Sequence, residues 1–136
     1  MSSYISLTSI DNSSACLPSS PWQQHTVLFG LKHNGSVLTQ LEEDVAFFLL
    51  ARGPYAYAGW GSWGMSWPLN PEPAHGALPP QPHGVVVPSL LRADFGKPDG
   101  LCAETVPGKS GIFTREWSGA TVTLDCGTFK GTVKRK

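Results

Sequence analysis

Gly111-Ile112-Phe113-Thr114-Arg115-Glu116-Trp117, Ser118-Gly119, Ala120-Thr121-Val122-Thr123-Leu124-Asp125-Cys126, Gly127, Thr128-Phe129-Lys130-Gly131-Thr132-Val133 is the stretch that decides the fold. The first seven residues read as a strand, and Ser118-Gly119 reads as a tight turn. Ala120 to Cys126 then alternates, with Val122, Leu124 and Cys126 on one face. Gly127 interrupts it, and Thr128 to Val133 reads as a third strand. Short turns between β-branched runs predict an antiparallel sheet.

N-terminal to the sheet, Arg92-Ala93-Asp94-Phe95-Gly96-Lys97-Pro98 reads as a loop or turn. From Trp60 to Pro88 seven prolines, from Pro68 to Pro88, forbid regular structure, except for a short edge strand at Val85-Val86-Val87. Tyr55-Ala56-Tyr57-Ala58-Gly59 alternates large and small and reads as a short strand. Before it, Ser36 to Arg52 is predicted as a helix, with Leu38, Leu41, Val45 and Phe48 on one face. Thr39-Gln40-Leu41-Glu42 fits a capping box, Ser36 is a rival N-cap, and Gly53-Pro54 stops the helix. Its C-terminal half is apolar nearly all round, which calls for cover on more than one side. A lone helix–strand unit has nothing parallel to pair with and reads as part of something larger. Residues 1–35 are Ser-rich and weakly patterned, apart from a short apolar run, Thr26 to Leu31, that could be a strand.

The expected architecture is α+β and mostly β: one helix and a short strand, then a C-terminal antiparallel, β-sandwich-like sheet. The expected organisation is a poorly structured arm (1–35), a helix–strand unit (36–60), a Pro/Gly-rich loop (61–92) and an antiparallel β-domain (93–136).

Composition narrows the function classes. The 136 residues carry 10 Lys+Arg against 10 Asp+Glu. Zero net charge argues against binding nucleic acid by phosphate neutralisation, and against a polybasic membrane anchor. No apolar run approaches the ~20 residues of a membrane span. Residues 1–17 show neither a positive n-region nor a continuous apolar h-region, so a signal peptide is not supported. The 15 glycines and 12 prolines demand frequent turns. Of Cys16, Cys102 and Cys126, the last two flank the same sheet and are the expected disulfide pair, leaving Cys16 free on the arm.

Gly59-Trp60-Gly61-Ser62-Trp63-Gly64 matches the dinucleotide pattern G-x-G-x-x-G by letter, but no helix can open at the third glycine before Trp67-Pro68. The four histidines lack ligand spacing. Neither a cofactor nor a metal is expected. Tyr55, Tyr57, Trp60, Trp63 and Trp67 form the densest feature. They read either as a platform for the C–H face of a sugar, with glycines leaving room, or as rings filling the seam between helix and sheet. Glu104, Glu116, Asp94 and Asp125 are carboxylates of the second half, and a carboxylate pair is what glycoside hydrolysis needs. Glu116, inside a strand, reads better as a solvent-facing or cross-strand charge. Cys126, on the apolar face, reads as an inert thiol.

Three segments together carry a resemblance. Phe47 to Tyr57 followed by Gly59-Trp60-Gly61 is similar to the last helix–strand unit of glycoside-hydrolase-like (β/α)8 barrel proteins. Ala93-Asp94-Phe95-Gly96-Lys97-Pro98, followed by Gly100-Leu101-Cys102, resembles the D-Y-G-x-P segment that follows in those chains. Gly111 to Val122 is similar to a hairpin of their C-terminal β-domain. The resemblance covers about Val37 to Val133 and implies the end of a barrel with the β-domain behind it. The family's catalytic carboxylates belong to earlier strands, so no catalytic residue is carried over.

The resulting expectation is a glycosidase-related accessory or remnant domain without a complete active site, touching saccharide weakly through Tyr55 to Trp67. Its expected partners are an oligosaccharide and an upstream barrel domain. The alternatives are a small autonomous carbohydrate-active enzyme using Glu104, Glu116 or Asp94, and a plain protein-interaction module.

Overall fold

Strand β6 (Ile112–Trp117) buries every second residue, Phe113, Arg115 and Trp117. β7 (Ala120–Asp125) does the same with Ala120, Val122 and Leu124, as the alternation predicts. They pair antiparallel across Ser118-Gly119, and β7 pairs with β8 (Lys130–Arg135) in the same sense. The third strand begins at Lys130 rather than Thr128. The Asp125 carboxylate accepts from the Gly127 and Thr128 amides and from the Thr128 hydroxyl, holding those residues in the turn. A fourth, two-residue strand, β5 (Ala103–Glu104), joins the other edge and gives the order β5-β6-β7-β8.

The chain is α+β and mostly β. These findings come from a computed structural model that describes residues 16–19, 27–34, 37–59 and 88–136. The expected strand at Val85–Val87, the tryptophans at 60, 63 and 67, and most of the Pro-rich loop lie outside the described residues. Among the described residues no helix is long and apolar enough to cross a membrane.

Helix α1 is shorter than its periodicity predicts, Leu41–Ala51 instead of Ser36–Arg52. Val37 and Leu38 form β3 and pair antiparallel with Asn34 and His33 of β2. The hairpin removes the first turn of the expected helix. Gln40 occupies the N-cap without a side-chain cap bond, so the expected Thr39 box is not formed. Asp44 is the polar anchor here. It is fully buried, and its carboxylate accepts from the Lys32 amide at 2.7 Å and from Gln40 Nε2 at 3.0 Å.

From Asp44 to Ala51 every residue of α1 is buried. Cover comes from two sides. Phe29 packs on Phe47 and Phe48, with ring centroids 5.4 and 5.9 Å apart. On the other side α1 lies across the four-stranded sheet. A Cβ built on Gly131 of β8 would sit 2.8 Å from the Ala46 Cβ and 3.0 Å from the Glu43 Cα, so only glycine permits this approach.

Phe29 belongs to β1 (Val27–Gly30), which pairs parallel with β4 (Ala56–Gly59) in the register Val27↔Ala56 to Gly30↔Gly59. The helix–strand unit therefore does have a parallel partner. It comes from residues assigned by sequence to a poorly structured arm, and α1 is the crossover of a βαβ unit.

The disulfide also differs from expectation. Cys16 is bonded to Cys102, with Cα atoms 5.1 Å apart, and Cys126 is the free thiol. The sheet register explains why Cys102 and Cys126 stay apart. One step beyond the ladders, Cys102 falls opposite Arg115 and Cys126 opposite Gly111. Those positions are ~13 Å apart along β6 at ~3.3 Å per residue, beyond the ~7 Å that a disulfide spans.

Candidate functional site

Gly53-Pro54 ends α1 as read from the sequence. Arg52 leaves the helix with extended backbone while its N–H still donates to the Phe48 carbonyl at 2.8 Å. The chain turns and enters β4, where alternation puts Ala56 inward and Tyr57 outward. Tyr55 and Tyr57 are 58 % and 59 % exposed. These two rings of the aromatic cluster therefore face solvent rather than filling a seam. Trp60, Trp63 and Trp67 lie outside the described residues.

Beside Tyr57 runs a groove of about 300 Å³. One wall is the exit of α1 and β4, with Phe48, Arg52, Pro54, Ala56 and Tyr57. The other is Leu90, Leu91, Ala93 and Phe95. Leu90 and Leu91 belong to a single 3-10 turn, Ser89–Arg92. Phe95 is held by the backbone: its carbonyl accepts from the Gly119 N–H at 3.0 Å. Gly96 then turns at φ +76°, tight against Ser118, where a side chain would collide. The Asp94 carboxylate accepts from the Gly96 N–H at 2.7 Å and so fixes this turn.

Arg52, on the groove wall, shares one indole with a second guanidinium, that of Arg115. Arg52 and Arg115 each lie 5.3 Å from the Trp117 ring centroid, and Arg52 also stacks over Phe48 at 5.4 Å. Their hydrogen bonding differs. Arg115 is 4 % exposed. Its Nε donates to Gly100 O at 2.9 Å, and its Nη1 donates to the carbonyls of Leu49, Leu50 and Arg52 at 3.3, 3.0 and 2.8 Å. Burial, and then the neighbouring Arg52 charge, push the Arg115 pKa down. No described residue accepts a hydrogen bond from the Arg52 guanidinium, and no described carboxylate lines the groove.

The three carboxylates considered for catalysis are not brought together, and each has another task. Glu104 accepts from the amides of Gly108 and Gly111, which hold its pKa below the ordinary glutamate value. Glu116 is exposed and pairs with Lys136 at 2.9 Å and with the Thr121 hydroxyl at 2.8 Å, and these contacts also lower its pKa. Asp94 fixes the Gly96 turn. A general acid needs a raised pKa in a sheltered site, and Glu104 and Glu116 are shifted the other way.

The two arginines escaped sequence reading. Arg115 is in phase with Phe113 and Trp117, and that parity alone places a charge among apolar neighbours. Arg52 was read as the end of a helix, with nothing to indicate a groove beside it. No family model matches this sequence, and no curated protein is significantly similar to it.

Proposed function

We propose that the chain is a glycosidase-related β-rich module without a complete active site, which makes weak contact with an oligosaccharide and supports an upstream barrel domain. The observation that carries the saccharide contact is the exposed ring of Tyr57, which lines an open groove with an apolar wall and follows the exposed Tyr55 in the chain. A pyranose presents an apolar C–H face that stacks on such a ring. The scattered, engaged carboxylates favour a binding role over the autonomous enzyme. The barrel partner is favoured by the parallel β1–α1–β4 unit, since two-stranded parallel sheets normally continue into larger ones.

Stacking on one or two rings gives affinity of about millimolar. Titration of the protein with neutral and acidic oligosaccharides, followed by tyrosine and tryptophan fluorescence, tests the contact. Tyr57→Ala should abolish the response while leaving the thermal melt in place. If no oligosaccharide perturbs the wild-type protein, the contact does not exist.

A further inference from the structure

We propose that the groove beside Tyr57 selects an acidic saccharide, with the carboxylate of a uronic acid unit seated on the Arg52 guanidinium. The proposal rests on the saccharide reading above and names the substrate class of the same site. Arg52 is the one charged side chain on the groove wall among the described residues. Stacking on Phe48 and Trp117 holds the guanidinium in a fixed place. A preorganised planar fork is what a carboxylate binds in bidentate fashion.

The contrast with Arg115 identifies which of the two cations serves a ligand. Four backbone carbonyls engage Nε and Nη1 of Arg115, which is buried. Arg52 is only half-buried, and its side chain donates to no described residue. The two positive charges also lie close enough for Arg52 to disfavour the charge on Arg115. An anion at Arg52 relieves that repulsion. No described carboxylate lines the groove to supply it: Asp94, between Ala93 and Phe95, accepts from the Gly96 amide, Glu104 and Glu116 are bound on the sheet, and Asp44 is enclosed beside Lys32 and Gln40. Leu90, Leu91 and Phe95 make the opposite wall apolar, which limits water around an ion pair and strengthens it. A sugar ring on Tyr57 with its carboxylate toward Arg52 would use two groups of the same wall.

The test is a calorimetric titration of the full chain with tetragalacturonate, cellotetraose and tetraglutamate. Tetragalacturonate should bind about tenfold more tightly than cellotetraose, the value of one charge-assisted hydrogen-bond pair. The advantage should shrink as salt is raised. Arg52→Gln should remove it, and Arg52→Lys should keep part of it. Should Arg52→Gln fail to fold, the wild-type comparison at low and high salt decides the matter. Equal affinity for the two tetrasaccharides overturns the acidic selection and leaves the saccharide contact standing. Tetraglutamate binding as tightly as tetragalacturonate overturns the assignment to a sugar. Binding of none of the three overturns both readings.

Discussion

Arg115 Nη1 lies 3.0 Å from the carbonyl oxygen of Leu50, a residue 65 positions earlier in the chain. A cation in the middle of β6 thereby closes the C-terminal end of α1, where unpaired carbonyls and the negative end of the helix dipole collect. The bond ties sheet to helix with a polar contact inside an otherwise apolar layer.

Replacing Arg115 by Met should cost about 3–5 kcal/mol, because several buried carbonyls lose their donor and each costs ~1–3 kcal/mol unmet. Arg115→Lys should recover only part of the loss, since one ammonium cannot reproduce the planar fork. A urea melt measures both. A loss under about 1 kcal/mol for the Met variant would mean that water satisfies the helix end.

Phe48→Ala should destabilise by about 3–5 kcal/mol, since the ring is buried between Phe29 and the Arg52 guanidinium. Gly131→Ala tests the opposite fault at the other side of α1, overpacking against Ala46, and should cost about 1–3 kcal/mol. If Gly131→Ala melts with the wild type, the helix does not approach β8 as closely as described.

Reduction of the Cys16–Cys102 bond should lower stability by roughly 4–5 kcal/mol, because it releases a loop with a sequence separation of 86. Peptide mapping without reductant should recover Cys16 joined to Cys102, and melts with and without dithiothreitol give the magnitude. Native Cys126 should alkylate slowly at neutral pH. Burial first, then the charges of Asp125 and Glu104, push its thiol pKa up and keep the thiolate scarce.

Acid should weaken the fold through Glu104, Glu116 and Asp125. Hydrogen bonds hold all three below their ordinary carboxylate values. A depressed folded-state pKa contributes stability that is present above the unfolded value, about 4 for these groups, and is lost as pH falls through the folded value. Melting temperature should therefore stay level above about pH 5 and decline below it. Glu104→Gln should flatten that decline, and an unchanged acid slope would remove Glu104 from the explanation.

The sheet was legible because period-2 alternation with short turns admits few other readings. Val122 and Leu124 sit inward as that alternation requires. The helix was legible in its C-terminal half, where apolar residues on every side demanded two covers and received them. Its N-terminal boundary was not, because Val37 and Leu38 carry the helical spacing yet pair in a hairpin. Local period cannot foresee a competing tertiary partner. β1 was hard to place for a related reason: Val27-Leu28-Phe29-Gly30 has no alternation and gains its role only from the parallel strand β4. Three cysteines admit several pairings, and the choice depended on a sheet register that spacing does not encode. Of the candidate site, exposure of Tyr55 and Tyr57 was compatible with the sequence, whereas Arg52 acquires meaning only through the groove beside it.

Strand β8 is the last of the four-stranded sheet, yet its outer edge is not bare. The Val133 N–H donates to Glu42 Oε1 at 3.1 Å, and Lys130 reaches Glu43 at 3.3 Å. Exposed edge strands are templates on which further chains polymerise. Here the first turn of α1 supplies an acceptor where a foreign strand would offer its carbonyl, and Lys134 and Arg135 add like charges that repel a second copy. At the opposite border β5 is only two residues long. The hydrophobic hairpin at the centre of this fold is thus shielded from end-to-end fibre growth by a helix carboxylate, a basic tail and a truncated strand.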